Sequence, residues 1–312
     1  VDSAISIEDV RKSLGGRLIL DGVNFDVRRA DVFGFVGPNG AGKTTTIRIL
    51  LGLYRADSGR ATIMGEPVGS DRARARVGFM MDRNGLYSGM SARDNLAYYL
   101  SIYGKPVDDE RIRRALAGVG LADRASAKAG SFSTGMRQRL GIARALVHDP
   151  DVIILDEPTS GVDPSAQIEI REILVDLARN EGRTILLSSH NMDEVQRICN
   201  RVALIDHGAV VFSGELAELR ASMGRTTVRV TTAARVDDVT FARLDTDGRF
   251  DVGRGSADAR ELEFTPREDV HTADVVAALA GAGIGVTAVS GGAASLEDVY
   301  TTLVRSVDRT NG

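Results

Sequence analysis

Gly37-Pro38-Asn39-Gly40-Ala41-Gly42-Lys43-Thr44 fits G-x-x-x-x-G-K-[ST], and Thr45 follows it into a helical pattern. An apolar run, Asp31 to Val36, precedes it and reads as a strand. Glycines at this spacing let successive backbone N–H groups wrap phosphate oxygens, while the helix N-terminus adds the positive end of its dipole. In such a loop Lys43 reaches the β- and γ-phosphates and Thr44 supplies an oxygen to Mg²⁺. The dinucleotide pattern G-x-G-x-x-G fits the segment poorly and leaves the Lys-Thr pair without a role. The chain holds four lysines, and one of them is here.

A second constellation is Val152-Ile153-Ile154-Leu155-Asp156-Glu157, an apolar strand ending in two carboxylates. Beside a phosphate loop, Asp156 suits Mg²⁺ or its water and Glu157 suits polarising an attacking water. Taken alone the pair is also an ordinary acidic exit from a strand. A third is Ser131-Phe132-Ser133-Thr134-Gly135-Met136 ahead of the helix that starts at Arg137. Hydroxyls and glycine at a helix N-terminus make an anion site, and on spacing alone an ordinary N-cap explains them equally.

These groups need a scaffold. At 312 residues the chain has room for about two domains, and 43% hydrophobic residues provide a core. Strand patterns (Ile5, Ile7; Val23, Phe25, Val27; 61–64; 77–81; 152–155; 184–188; 202–205; 210–212) alternate with helical ones (45–51, 134–148, 165–180, 192–200, 215–222). Residues 84–130 read as mostly helical, with Ser91 capping a helix through Tyr103 and another running from Asp108 to Val119. That alternation predicts an α/β protein with a largely parallel sheet. Residues 225–312 read as a small α+β module with an antiparallel sheet. They hold ten Arg against fourteen acidic residues and so carry the whole net charge of −4, which places a domain boundary near 224.

Composition also excludes. With 5% aromatic residues, no Trp and a net charge of −4, no nucleic-acid surface is expected. Cys199 is the only cysteine, so a disulfide framework and a cysteine-based zinc site are ruled out. The N-terminal Val1-Asp2-Ser3-Ala4 lacks signal-peptide character, and 275–296, though uncharged over most of a span length, divides into a helix and a strand. Arg72, Arg74 and Arg76 alternate before a strand as a solvated charge run.

With these motifs in order, residues 5–222 resemble the ATP-binding cassette (ABC) family of transporter ATPases. Phe132-Ser133-Thr134-Gly135-Met136 resembles its signature motif, Ser160-Gly161-Val162-Asp163 its D-loop, His190 its switch histidine, and Asp82 stands at its Q-loop glutamine. The resemblance implies a P-loop NTPase of the ABC type, with a helical subdomain at about 84–134, that binds and hydrolyses ATP with Mg²⁺. Gly37, Pro38, Asn39, Gly40, Ala41, Gly42, Lys43, Thr44 and Thr45 would hold the nucleotide, and Thr44, Asp82 and Asp156 the metal. Glu157 and His190 would be catalytic. Two copies pairing head to tail would bring Ser133, Thr134 and Gly135 to the γ-phosphate in trans, with Asp163 linking the sites. Leu14 stands where the family commonly has an aromatic ring.

The resemblance extends to partners: a second cassette, most simply a homodimer, and a transmembrane permease subunit, which puts the chain at the cytoplasmic face of the membrane. Tyr87, Tyr98, Tyr99 and Tyr103 fall in the stretch that would receive the permease, and ordinary core packing accounts for them as well. Ser295-Leu296-Glu297-Asp298-Val299-Tyr300 resembles the terminal motif of drug- and antibiotic-exporting cassettes of the daunorubicin-resistance type. The alternative is a soluble ABC-type ATPase with a regulatory, DNA-repair or ribosome-associated role. Short spacing between loop and signature, and the single cassette, speak against it.

Overall fold

Two glycines take the first structural decision in the chain. In the computed structural model Gly15 and Gly16 have φ of 56° and 80°, the double left-handed conformation of a tight type I′ hairpin. They join β1 (Ser3–Leu14) to β2 (Arg17–Arg28), with Leu14 opposite Arg17. The structure describes residues 3–81, 85–222, 227–245, 248–255, 260–266, 272–292, 296–297 and 299–301. By contacts the chain divides into two compact units, built mainly from Val1–Leu216 and from Ala217–Ser306.

The first unit has two sheets. β1 and β2 join β4 (Ser58–Ile63) and β5 (Glu66–Pro67) in an antiparallel sheet ordered β2-β1-β4-β5. The other has six strands ordered β10-β9-β3-β8-β7-β6. Its members are β3 (Val32–Val36), β6 (Val77–Met80), β7 (Val152–Asp156), β8 (Thr184–Ser189), β9 (Arg201–Asp206) and β10 (Ala209–Glu215). Pairs β3–β8, β3–β9, β6–β7 and β7–β8 are parallel, and only the β9–β10 hairpin is antiparallel. Every residue of β3, β7 and β8 is buried, as both faces of a parallel sheet are covered. The parallel sheet expected from the sequence is therefore present, with the N-terminal strands in a separate antiparallel layer.

Helix α1 (Lys43–Leu50) lies between those layers. Its Ile47, Ile49 and Leu50 share one core with Ile5, Ile7 and Val23 of one sheet and Phe33, Phe35 and Ile154 of the other. Phe25 bridges the layers, 5.4 Å from Phe33 and 5.0 Å from Phe35, ring to ring. Arg72 and Arg74 belong to a one-turn helix, α2 (Asp71–Ala75), started by the Ser70 hydroxyl accepting from the Ala73 N–H; the sequence reading had no helix there.

Residues 84–130 contain both helices expected there, from Ser91 and from Asp108, and are less helical than expected outside them. They hold α3 (Ala92–Ile102), capped by Ser91, and α4 (Asp109–Gly118), capped by Asp108, with irregular chain or short 3₁₀ turns between. α5 (Thr134–Leu146) starts from Ser133, and α6 (Pro164–Glu181) from Asp163 with Pro164 in its first turn. α7 (Met192–Ile198) packs on the parallel sheet and α8 (Leu216–Ser222) follows β10. Burial pushes the Cys199 thiol far above its usual range, which keeps it inert.

The second unit runs β11 (Thr227–Thr232), α9 (Asp238–Asp245), β12 (Phe250–Arg254), β13 (Glu261–Pro266), α10 (Thr272–Gly281), β14 (Val286–Gly292). Its sheet, ordered β12-β13-β11-β14, is antiparallel throughout. That is the βαββαβ arrangement of ferredoxin-like folds. Val228, Val230, Phe250, Leu262 and Phe264 of the sheet and Val275 and Leu279 of α10 form its own core.

Candidate active site

The strand order fixes the site. β8 lies between β3 and β7, so the loop leaving β3 and the carboxylates ending β7 face each other across one strand. Ligands of open α/β sheets bind at such carboxyl ends. Gly42, with φ of 112°, turns the loop into α1 where an added Cβ would lie 2.5 Å from Leu20 Cδ2, so no side chain fits.

Lys43 is 6% exposed. Its Nζ donates to the carbonyls of Gly37 (2.7 Å) and Pro38 (3.2 Å) and stands 3.6 Å from Glu157 Oε1. Thr44 Oγ1 donates to Asp156 Oδ2 at 3.1 Å, and Ser188 Oγ donates to Asp156 Oδ1 at 2.5 Å. Both Asp156 oxygens are thus aimed by hydroxyls. Glu157 has φ of 52°, a strained value for a residue with a side chain and one that clusters at functional sites. The Ser188 hydroxyl and carbonyl hold its N–H, at 3.1 and 3.2 Å. His190 Nδ1 lies 2.9 Å from Glu157 Oε2. One carboxylate therefore meets an ammonium on one oxygen and an imidazole on the other.

These groups open into a cleft of about 1010 Å³. Asn39, Gly40, Gly42, Lys43, Thr44, Thr45, Asp156, Glu157 and His190 all line it. Gly37 and Pro38 support Lys43 from beneath, and the Ala41 carbonyl accepts from the Gly208 N–H at 3.1 Å. Leu14 is in the wall as an aliphatic chain. The sequence reading missed Ser188, whose hydroxyl is an unmarked residue inside an apolar strand, and the cleft residues Arg17, Ile19, Arg48 and Met81. Asp82 lies outside the described residues.

Ser133, Thr134, Gly135 and Asp163 are not in the cleft. Ser133 and Thr134 are exposed, with their oxygens accepting from the Met136 N–H (3.2 Å) and Arg137 Nη2 (3.1 Å). Gly135 is buried, and an added Cβ would come within 2.6 Å of Ala166 Cβ on α6. Asp163 accepts from the Ser165 hydroxyl (2.6 Å) and the Ala166 N–H (3.0 Å), which hold its carboxyl below the usual range.

The far end of α5 is tied to a groove of about 280 Å³ lined by Leu51, Leu53, Phe79, Tyr99, Ile102 and Tyr103, among others. Arg144 donates to the Phe79 carbonyl and lies 5.1 Å and 4.8 Å over the Phe79 and Tyr99 rings. His148 Nε2 donates to the Val77 carbonyl at 3.0 Å while its ring stacks 3.7 Å from Tyr103. Two residues four apart on one side thus grip carbonyls two apart on β6 and two tyrosines four apart, Tyr99 on α3 and Tyr103 at its C-cap. Of the four tyrosines, Tyr99 and Tyr103 line this groove, and Tyr87 and Tyr98 are exposed beside it.

Comparison with known proteins agrees with this geometry. The ABC transporter family model matches residues 20–160. The chain is 35% identical to the linearmycin resistance ATP-binding protein LnrL of Bacillus subtilis, over 77% of this chain and 83% of that protein. It is 41% identical to the Nod factor export ATP-binding protein I of Ralstonia nicotianae, over 69% of this chain and 68% of that one. Among solved structures, an ATP-binding subunit of an ABC transporter superposes with a TM-score of 0.64 at 29% identity, covering 71% of this chain and 94% of its own. The cbiO1 protein of Clostridium perfringens, part of the ABC transporter complex cbiONQ, also gives 0.64, at 28% identity and with coverage of 72% and 92%.

The chain belongs to the ABC transporter family, as an ATP-binding subunit that hydrolyses ATP. Subunits of this kind work with transmembrane permease partners, and no helix among the described residues is long and apolar enough to cross a membrane. The soluble, nucleic-acid- or ribosome-directed alternative is not favoured.

Proposed function

We propose that this chain powers an exporter of antibiotics, drugs or other small hydrophobic compounds. It works as a head-to-tail homodimer at the cytoplasmic face of the membrane. Relatives named for linearmycin resistance and Nod factor export support the direction and the cargo class. ATP lies in the cleft, with Gly37 to Thr45 around its phosphates and Lys43 on the β- and γ-phosphates. Glu157 orients or deprotonates the attacking water, and His190, on its second oxygen, contacts the γ-phosphate.

Thr44 and Asp156 suit Mg²⁺, a hard cation that takes one or two protein oxygens beside phosphate and water, and their oxygens already converge. Bound there, the ion would neutralise charge developing on the phosphoryl oxygens. Asp82 would add a further oxygen. Residues 1–224 form the nucleotide-binding domain, with the helical subdomain at about 84–134. Residues 225–312 form an accessory domain that stabilises or regulates the dimer. The Tyr99–Tyr103 groove receives the permease.

The observation that carries the dimer is the position of Ser133 and Thr134. They cap a helix, face solvent and do not line the cleft of their own chain, so a partner's γ-phosphate is what they can meet. Mixing tests it. Lys43→Ala and Ser133→Arg chains are each inactive, and hydrolysis returns when they are combined, because the heterodimer keeps one intact composite site. A mixture as inactive as its components sinks the arrangement.

A further inference from the structure

The cleft is far larger than a triphosphate, and its charged end is fully committed. Lys43, Asp156, Glu157 and His190 are bonded to one another or to the loop. A nucleoside therefore lies toward the remaining wall, which the β1–β2 hairpin contributes through Leu14, Arg17 and Ile19. A base offers a flat π-face, and the groups that hold such faces are aromatic rings and guanidinium planes. Among the described residues no Phe or Tyr lines this cleft, and the ring and guanidinium side chains that do are Arg17, Arg48 and His190.

Two of those three are engaged. His190 is held by Glu157. Arg48 Nη1 donates to Tyr54 Oη at 3.1 Å, and its guanidinium lies 5.4 Å over the Tyr54 ring. Arg17 has no hydrogen-bond or ion-pair partner for its side chain among the described residues. Its root is fixed, since it is the first residue of β2, opposite Leu14 across the two-glycine turn.

We propose that Arg17 is the base platform of this subunit: its guanidinium plane, with the Leu14 chain beside it, stacks on the purine of bound ATP. The assignment rests on the cleft being the nucleotide site. It makes Arg17 a binding residue that acts on the base and not on the phosphates, and this separates it from Lys43. Arg is suited to the task because its plane is rigid and weakly hydrated, whereas the Lys ammonium is a compact, strongly hydrated point charge.

The test is calorimetric titration of the purified chain with Mg-ATP and with inorganic triphosphate. Arg17→Ala weakens ATP binding roughly 5- to 150-fold, the range of one lost base stack, and leaves triphosphate binding unchanged. Arg17→Tyr, which restores a flat face, binds ATP at least as well as the native chain. Arg17→Lys, which keeps the charge and loses the plane, behaves like the alanine variant. Equal weakening of both ligands by Arg17→Ala, unchanged ATP binding, or full rescue by lysine overturns the proposal. Lys43→Ala weakens both ligands; if it weakens neither, the cleft itself is not the nucleotide site and that reading fails on its own.

Discussion

Two helices of the first unit begin with hydroxyl-bearing, glycine-rich sequence, α1 at the phosphate loop and α5 at Ser133, and their surroundings are opposite. At α1 the polar groups are buried or half-buried and face other elements: Lys43 meets Glu157, and Thr44 meets Asp156. At α5 Ser133 and Thr134 are exposed, and their oxygens are taken up by the helix's own first turn. The same local chemistry thus gives a finished site in one place and a bare cap in the other. A helix N-terminus attracts an anion only as far as the rest of the fold brings one to it. The first end is completed by other elements of the chain, and the second is engaged only by its own helix.

The sharpest way to break that contrast is at the finished site. Glu157→Gln keeps shape and hydrogen bonding to His190 but removes the base, so turnover falls roughly 10²–10⁴-fold while ATP still binds. Phosphate release set beside calorimetric affinity checks this; unchanged turnover removes Glu157 from the chemistry.

The far end of α5 gives a pH-dependent prediction. Burial lowers the His148 pKa from 6.5 to about 4, so the folded protein keeps a neutral ring. Between those values the unfolded chain takes up a proton that the folded chain refuses. Stability is therefore full above the unfolded value and declines as pH falls toward 4, by up to about 3 kcal/mol. Below that it levels off. His148→Phe keeps the stack on Tyr103 and loses the titration. The difference between native and variant urea midpoints should shrink as pH drops from 7 toward 4.5, and a constant difference would remove His148 as the cause.

Smaller effects separate Gly135 from Ser133 within one turn. Gly135→Ala forces a Cβ against Ala166 and destabilises by about 1–3 kcal/mol, as overpacking does. Ser133→Ala loses only a cap, about 1 kcal/mol. Hydrolysis by the dimer should nonetheless suffer from both. If Ser133→Ala lowers stability and leaves dimer turnover intact, the exposed cap has no work outside its own helix.

The phosphate loop and the Asp156-Glu157 pair were legible because each is a short run whose chemistry is written in consecutive residues. Ser188 was not, since a serine within Thr184–Ser189 acquires meaning only when β8 is seated between β3 and β7. Arg17 was hidden for the same reason: on a hairpin it reads as a solvated cation, and only the fold turns that hairpin into a cleft wall. Within 84–130 the helices starting at Ser91 and Asp108 were legible from their caps. The expectation overreached only outside them, where Gly104 and Gly120, both at positive φ, end each helix and irregular chain follows. The short helix at Asp71–Ala75 was unreadable beforehand, since one turn shows no periodicity and depends on the Ser70 cap.

The sequence by itself determined the chemistry of the loop, the pair of carboxylates, the alternation of strand and helix, and the change of charge near 224. Those are properties of neighbours along the chain, and local sterics and hydrogen bonding express them directly. Tertiary structure decided which carboxylate oxygen each hydroxyl aims, that Glu157 stands between an ammonium and an imidazole, and that Ser133 is left facing solvent. These depend on strand order and on what is buried beside what, and only the packed chain assigns them.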